Sequence, residues 1–283
     1  MAQNIQDNYK YSTSQLSTFS PGTYFERTAR PVYALLYLLG FLFFYEVSVI
    51  LANPDLLNES LYVIQGGVVA FVWVQNLLHF FGFSDRLAWL ATPFVVIIIL
   101  LILQIASRQQ WKILLKDFLP MTVECIILAI PLIVLGLLLN RSVTANCVSC
   151  SSELYNSSAH PLLLSITTAI GAGIYEELVF RLILICLFMI FFETVLGLNH
   201  KKSVIISVIL SAVLFSLHHH IVFLNGQLSQ TEIFTLSKFI FRTLAGVYFA
   251  VIFAARGFAV TAGCHVFYDI IAVVINISFF AET

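Results

Sequence analysis

The sequence is poor in charge. Of 283 residues only 10% are charged, with 14 Lys and Arg against 15 Asp and Glu, while 60% are hydrophobic. Soluble domains carry roughly 25% charged residues, so this chain lacks the polar surface a water-soluble fold needs. With a formal net charge of −1 there is no basic field to hold nucleic acid. Five cysteines are too few for a disulfide scaffold. Internal repeats, low-complexity tracts and a soluble module are absent. The weak alternating segments of an outer-membrane barrel are missing too, and long continuous apolar runs stand in their place. The expected class is an all-α, polytopic transmembrane helix bundle in a multi-pass integral membrane protein of the cell membrane.

A helix needs about 20 apolar residues to cross the hydrocarbon. The runs that qualify are 31–52, 61–83, 88–107, 119–139, 161–196, 203–222, 238–255 and 258–280, about eight spans. They divide into a polar N-terminal segment (1–30), N-terminal helices (31–160) and a C-terminal group (161–283), together forming one membrane domain. The run starting at Pro31 is too long for a signal-peptide core of about 7–15 residues and reads as a retained span. Run 161–196 reads as one long tilted helix or two pieces meeting at Glu176, Glu177 and Arg181. Arg108, Lys112, Lys116, Lys201 and Lys202 place the 108–118 and 199–203 loops on the cytoplasmic side. Eight spans then put the N-terminus outside, although Lys10, Arg27 and Arg30 favour the inside; a re-entrant early segment or a double crossing by 161–196 would resolve this. The outer 141–160 loop holds Cys147 and Cys150, which could pair in an oxidising compartment.

Charges inside apolar runs are informative, because each costs at least about 2.5–3.5 kcal/mol at mid-membrane. Glu177 and Arg181 are i,i+4 and can form an ion pair on one helical face. Glu176 lies about 100° round the helix and lacks that partner. Phe215-Ser-Leu-His218-His219-His220 ends the sixth run. Consecutive histidines point in different directions, so at most one or two can reach a given interior site. His265 and Asp269 are i,i+4 in the last run, where the carboxylate can accept the Nδ1–H. A satisfied structural pair is the plain alternative in each case. Glu46, Gln75, Asn76, His79 and Glu124 read as interhelical hydrogen-bond partners. Together the three groups place a carboxylate, two imidazoles and an orienting carboxylate on three helices, a set able to activate water.

The pattern resembles the CPBP family of intramembrane proteases, which includes the type II CAAX prenyl endopeptidases and Abi-type proteins. Its motifs E-E-x-x-x-R, F-x-x-x-H and H-x-x-x-N/D appear in order as Glu176-Glu177-x-x-x-Arg181, Phe215-x-x-x-His219 and His265-x-x-x-Asp269. The resemblance covers about 160–280. It implies a peptide-bond hydrolase acting on a membrane-associated protein or peptide, with a prenylated C-terminus as one option. It also implies that Glu176 is the base, His219 holds the water, and His265 with residue 269 stabilises the oxyanion, Glu177 and Arg181 giving structural support. An ionised Asp269 cannot donate to an oxyanion, so its expected role is to orient His265, with a neutral, protonated Asp269 in an apolar site as the alternative. The family has been described both as metalloproteases and as metal-independent glutamate proteases. The zincin spacing HExxH is absent, so the expectation is no cofactor; if zinc is used, Glu176, His219 and His265 would hold it. The alternatives are a non-catalytic immunity or scaffold protein of the same family and a proton-coupled transporter.

Overall fold

The computed structural model describes residues 20, 22–52, 68–140, 161–224, 227–230 and 234–280. Cys147 and Cys150 lie outside the described residues. The elements in chain order are α1 (Tyr24–Thr28), α2 (Pro31–Ala52), α3 (Val69–Phe80), α4 (Asp85–Ser107), α5 (Phe118–Asn140), α6 (Pro161–Glu177), α7 (His200–His218), α8 (Leu236–Arg256) and α9 (Phe258–Phe280). A single 3₁₀ turn, Leu115–Asp117, leads into α5. After α6 the chain stays helical without a break, π-helical over Leu178–Leu184 and again over Phe191–Val195, with α-helix between.

Among the described residues, seven helices are long and apolar enough to cross a membrane. The chain is an integral multi-pass membrane protein. The helical run from Leu162 to Val195 has 34 residues, about 50 Å at 1.5 Å per residue, so it crosses once as one long rod rather than as two spans. Of the expected span over 61–83, residues 61–67 lie outside the described residues, and the described part holds the 12-residue α3, about 18 Å long. The outer surface carries rows of bare hydrocarbon, including Phe43 at 71% and Leu138 at 76% exposure. Water would penalise such a surface and lipid does not. Between Ile221–Leu224 and Gln227–Gln230 runs a short antiparallel hairpin, a local addition to a helical fold.

Sidedness follows from polar contacts near the chain start. Thr23 caps α1 by accepting from the Glu26 amide. Arg27 on α1 makes two hydrogen bonds to Asp117, at 2.8 and 2.9 Å, and Asp117 also accepts from the Tyr33 hydroxyl at 2.9 Å. Those bonds push the Arg27 pKa further up, so its charge is permanent. The Arg256 guanidinium pairs with Glu124 at 2.5 and 2.8 Å and donates to Thr28 Oγ1 at 3.0 Å. The Tyr24 hydroxyl donates to Glu124 at 2.7 Å; burial and that carboxylate raise the Tyr24 pKa, keeping the phenol a donor. This latch holds the N-terminal helix, the 108–118 loop and the α8–α9 turn on one side. Arg27 contacts Asp117 and Arg30 donates to the Lys112 carbonyl, so the N-terminal arginines and the 108–118 loop share one side, as the lysine and arginine distribution favours.

α9 is the most buried of the seven spans and packs chiefly against α6 and α5, with α2 and α8 completing its surroundings. It starts at Gly257, whose φ of +81° turns the chain sharply after α8, a conformation that a Cβ would strain. The approach of α6 to α9 depends on Gly173. A Cβ there would stand 2.5 Å from Val266 Cγ2 and 2.7 Å from the Val266 amide nitrogen, and Val266 adjoins His265. Gly173→Ala should therefore push the two helices apart at a cost of about 1–3 kcal/mol. Thermal unfolding in detergent should show a lower midpoint than the parent; an unchanged midpoint would mean that the helices part without cost.

Candidate active site

Glu176 and Glu177 occupy the last turn of α6, immediately before the π-helical segment. A π-turn widens the helix and misaligns carbonyls, and such segments are frequent at functional sites. Here a neighbour compensates: the buried Ser211 hydroxyl of α7 donates to the Phe180 carbonyl at 2.7 Å. Glu177 is fully buried and its Oε2 lies 3.0 Å from Arg181 Nε, the ion pair that the i,i+4 spacing predicts. The guanidinium rests 4.2 Å above the Phe215 ring and 5.4 Å from that of Phe249, and donates to the Gly246 carbonyl at 3.4 Å. Arg181 thus ties α6 to α7 and α8.

His265 on α9 stacks on Phe249, centroids 4.5 Å apart and planes at 19°. Its Nδ1 lies 2.8 Å from Glu177 Oε1, and its Nε2 lies 3.4 Å from Asp269 Oδ2. The sequence spacing suggested that Asp269 takes the Nδ1–H. Instead Glu177 reaches that nitrogen from α6, because the Gly173 contact brings the two helices close, and Asp269 faces the other ring nitrogen. Glu177 is therefore more than structural support: it orients His265.

The third helix supplies two imidazoles. His218 and His219 close α7, and both Nδ1 atoms approach the Phe215 carbonyl, at 2.5 and 2.9 Å. A carbonyl oxygen only accepts, so both Nδ1 atoms carry the proton and both Nε2 atoms point away with lone pairs in the neutral rings. They converge on Glu176: His218 Nε2 is 3.6 Å from Oε1, and His219 Nε2 is 3.9 Å from Oε2. His265 Nε2 is 4.0 Å from the same Oε2. The F-x-x-x-H motif of the resembled family selects His219 and passes over His218. The helix end makes the difference, since residue 219 is the C-cap and adjacent rings can share one acceptor there. His220, in contrast, packs beside Phe234 and Phe239. The signal available in the sequence was the pair of adjacent histidines after Phe215.

The structure thus brings together Glu176, Glu177, Arg181, His219, His265 and Asp269 from α6, its π-helical continuation, α7 and α9. Glu176, His265 and Asp269 are buried, while the His219 side chain is 20% exposed and marks the open edge. The donor atoms of Glu176, His218 and His219 all lie within 4.8 Å of one another, the spread of a three-ligand metal set. The earlier candidate set named His265 where the geometry groups His218.

Arg181→Met tests the ion pair. It leaves the Glu177 charge buried against His265 alone and should destabilise the protein by about 3–5 kcal/mol. Adding Glu177→Gln should recover part of that loss. Chemical denaturation of the single and double variants would measure both, and equal stability of the two would show that Arg181 does not neutralise Glu177.

Residues 158–271 match the family model for Type II CAAX prenyl endopeptidase Rce1-like proteins. That stretch holds all three motifs, in agreement with the CPBP resemblance. No curated protein and no solved structure matches the chain.

Proposed function

We propose that this chain is an intramembrane endopeptidase of the CAAX type, which hydrolyses a peptide bond of a membrane-associated protein. One observation carries the reading: a buried carboxylate, Glu176, has three imidazole Nε2 atoms within 4.0 Å, contributed by two other helices. A charge so costly in a bilayer earns no packing benefit there, and the match to a protease family gives it a use.

In the proposed reaction, water sits between Glu176 and His219 Nε2. Glu176 takes one proton as the oxygen bonds to the substrate carbonyl carbon. The carbonyl electrons move to oxygen, and His265 faces the resulting oxyanion. Its Nδ1–H is committed to Glu177, so donation from Nε2 requires the doubly protonated ring. Glu177 and Asp269 flank that ring at 2.8 and 3.4 Å and neutralise its charge. The tetrahedral intermediate then collapses, the C–N bond breaks, and Glu176 returns its proton to the leaving amine nitrogen. Positioned acid–base groups contribute about 10²–10⁴-fold each. The Nδ1–H groups of His219 and His265 are each held by a partner before substrate arrives, so little reorganisation of these rings accompanies the reaction. A prenylated C-terminal substrate suits an enzyme whose outer surface is bare hydrocarbon, because a lipid anchor keeps the scissile bond at the membrane.

The test is hydrolysis of a panel of prenylated and unmodified membrane-tethered peptides by protein in nanodiscs. Wild type should cleave a prenylated peptide, and Glu176→Gln should lose about 10²–10⁴-fold while remaining folded and helical. Cleavage by the Gln variant at the parental rate would overturn Glu176 as the base. His265→Gln should lose activity through kcat rather than KM, since an oxyanion contact acts in the transition state.

A further inference from the structure

Two residues after His219 the chain leaves α7 and forms β1 (Ile221–Leu224), which pairs with β2 (Gln227–Gln230). The proposed reaction makes no use of this hairpin. Two strands alone are marginally stable at best, and each keeps one edge free. Native edge strands are usually blunted by Lys, Pro or an inward-pointing charge. Ile221-Val222-Phe223-Leu224 carries none of these, and three of its four residues are types favoured in strands. Among the described residues, no backbone hydrogen bond reaches the edge of β1 that faces away from β2.

The register decides which groups lie on that edge. Leu224 pairs with Gln227 and Val222 with Ser229. Across a two-residue connection the closing pair exchanges both hydrogen bonds, and bonded and non-bonded pairs alternate from there. Ile221 and Phe223 hold the non-bonded positions, so their N–H and C=O groups point away from β2. They present two donors and two acceptors roughly 6–7 Å apart along the strand.

A substrate needs such a partner. Water activated at Glu176 reaches a carbonyl carbon only when the substrate backbone is opened from a helix. Opened backbone loses its internal hydrogen bonds, and unsatisfied N–H and C=O groups are costly in hydrocarbon. The His219 side chain marks the open edge of the site, and β1 begins beside it. At about 3.3 Å per residue, substrate residues that meet β1 lie a few positions from the scissile bond.

We infer that the free edge of β1 is the docking strand for the substrate: an extended segment beside the scissile bond adds as a third strand, bonded to the backbone of Ile221 and Phe223. The inference rests on the hydrolase reading above. Strand addition of this kind takes its affinity from main-chain hydrogen bonds, so it selects an extended chain with free amides rather than a particular side chain.

The experiment scans the substrate backbone. In a prenylated peptide in nanodiscs, each backbone nitrogen flanking the scissile bond is methylated in turn and hydrolysis is measured. Methylation removes the donor and blocks the edge. KM should rise about 10-fold or more at positions spaced by two, on one side of the scissile bond, and not at the position between them. Phe223→Pro removes an outward N–H that makes no bond to β2, a change that edge positions tolerate. It should raise KM for the unmethylated peptide by about 2–10-fold and leave kcat and the thermal midpoint at parental values. Phe223→Ala, and Leu228→Pro on the outward edge of β2, should leave KM unchanged. Sensitivity without alternation, or an unchanged KM in folded Phe223→Pro, would overturn the docking strand. So would a dimer of the parent that Phe223→Pro dissolves, since a second copy would then cover the edge. If Phe223→Pro misfolds, the methylation pattern on wild type decides alone. Binding of the same peptides to Glu176→Gln, read by fluorescence anisotropy, should show the same alternation. That readout needs no hydrolysis, so failure of the docking strand and failure of the hydrolase reading are separately visible.

Discussion

The Glu177 carboxylate is the contact on which the candidate site depends. It is fully buried, and in a bilayer no water can stabilise its charge. Its two oxygens are divided between Arg181 and His265, one on its own helical run and one on α9. Each of those partners is then tied elsewhere: Arg181 to the Phe215 ring and the Gly246 carbonyl, and His265 to the Phe249 ring. Four helical elements are thereby bound through one carboxylate. Displacing any of them would leave a buried charge uncompensated, a cost several times that of an ordinary packing defect. The neighbouring Glu176 is held in place by this framework without contributing to it, which is the condition a reacting carboxylate needs.

Phe215 explains the spacing of the middle motif. Its ring lies under the Arg181 guanidinium, and its carbonyl accepts from the His219 Nδ1–H four residues later. That carbonyl belongs to the last turn of α7, where no further amide is available along the helix. The free acceptor selects the imidazole tautomer. One residue therefore connects the charge-neutralising side of the site with the water-facing side. Its aromatic ring and its position four residues before the histidine are separate requirements, which is why the pattern specifies both.

Much of this was legible in the sequence because charge is so scarce. Six side chains in apolar runs mark the site, and Glu177–Arg181 needs only the 3.6-residue period. Three things were not legible. Apolar length left the side of the N-terminus open, and only the contacts of the latch put Arg27 beside the 108–118 loop. The i,i+4 rule paired His265 with Asp269 through Nδ1, and a carboxylate from another helix took that position. His218 looked divergent from His219, since helical periodicity separates adjacent residues by about 100°; at a helix end the side chains are free to converge on a common acceptor. Periodicity describes contacts within a helix, and each of these failures concerns contacts between helices.

The latch and the site occupy different levels of the bundle, and the register of α7 against α8 fixes their order. Ser216 donates to the Phe239 carbonyl at 2.8 Å, while Ala212 lies against Gly246, so the two helices run antiparallel. Gly246 is also where α8 touches Arg181. Arg256 follows ten residues later, about 15 Å along the helix. Charged groups therefore gather at two depths, with Ile252 and Phe253 buried between them on α8. The lower group is saturated: Arg256, Glu124, Tyr24, Arg27 and Asp117 satisfy one another and fix which side the basic loops face. The upper group turns the Nε2 atoms of His218, His219 and His265 toward the Glu176 carboxylate. The same element therefore anchors the bundle at one depth and positions chemistry at another.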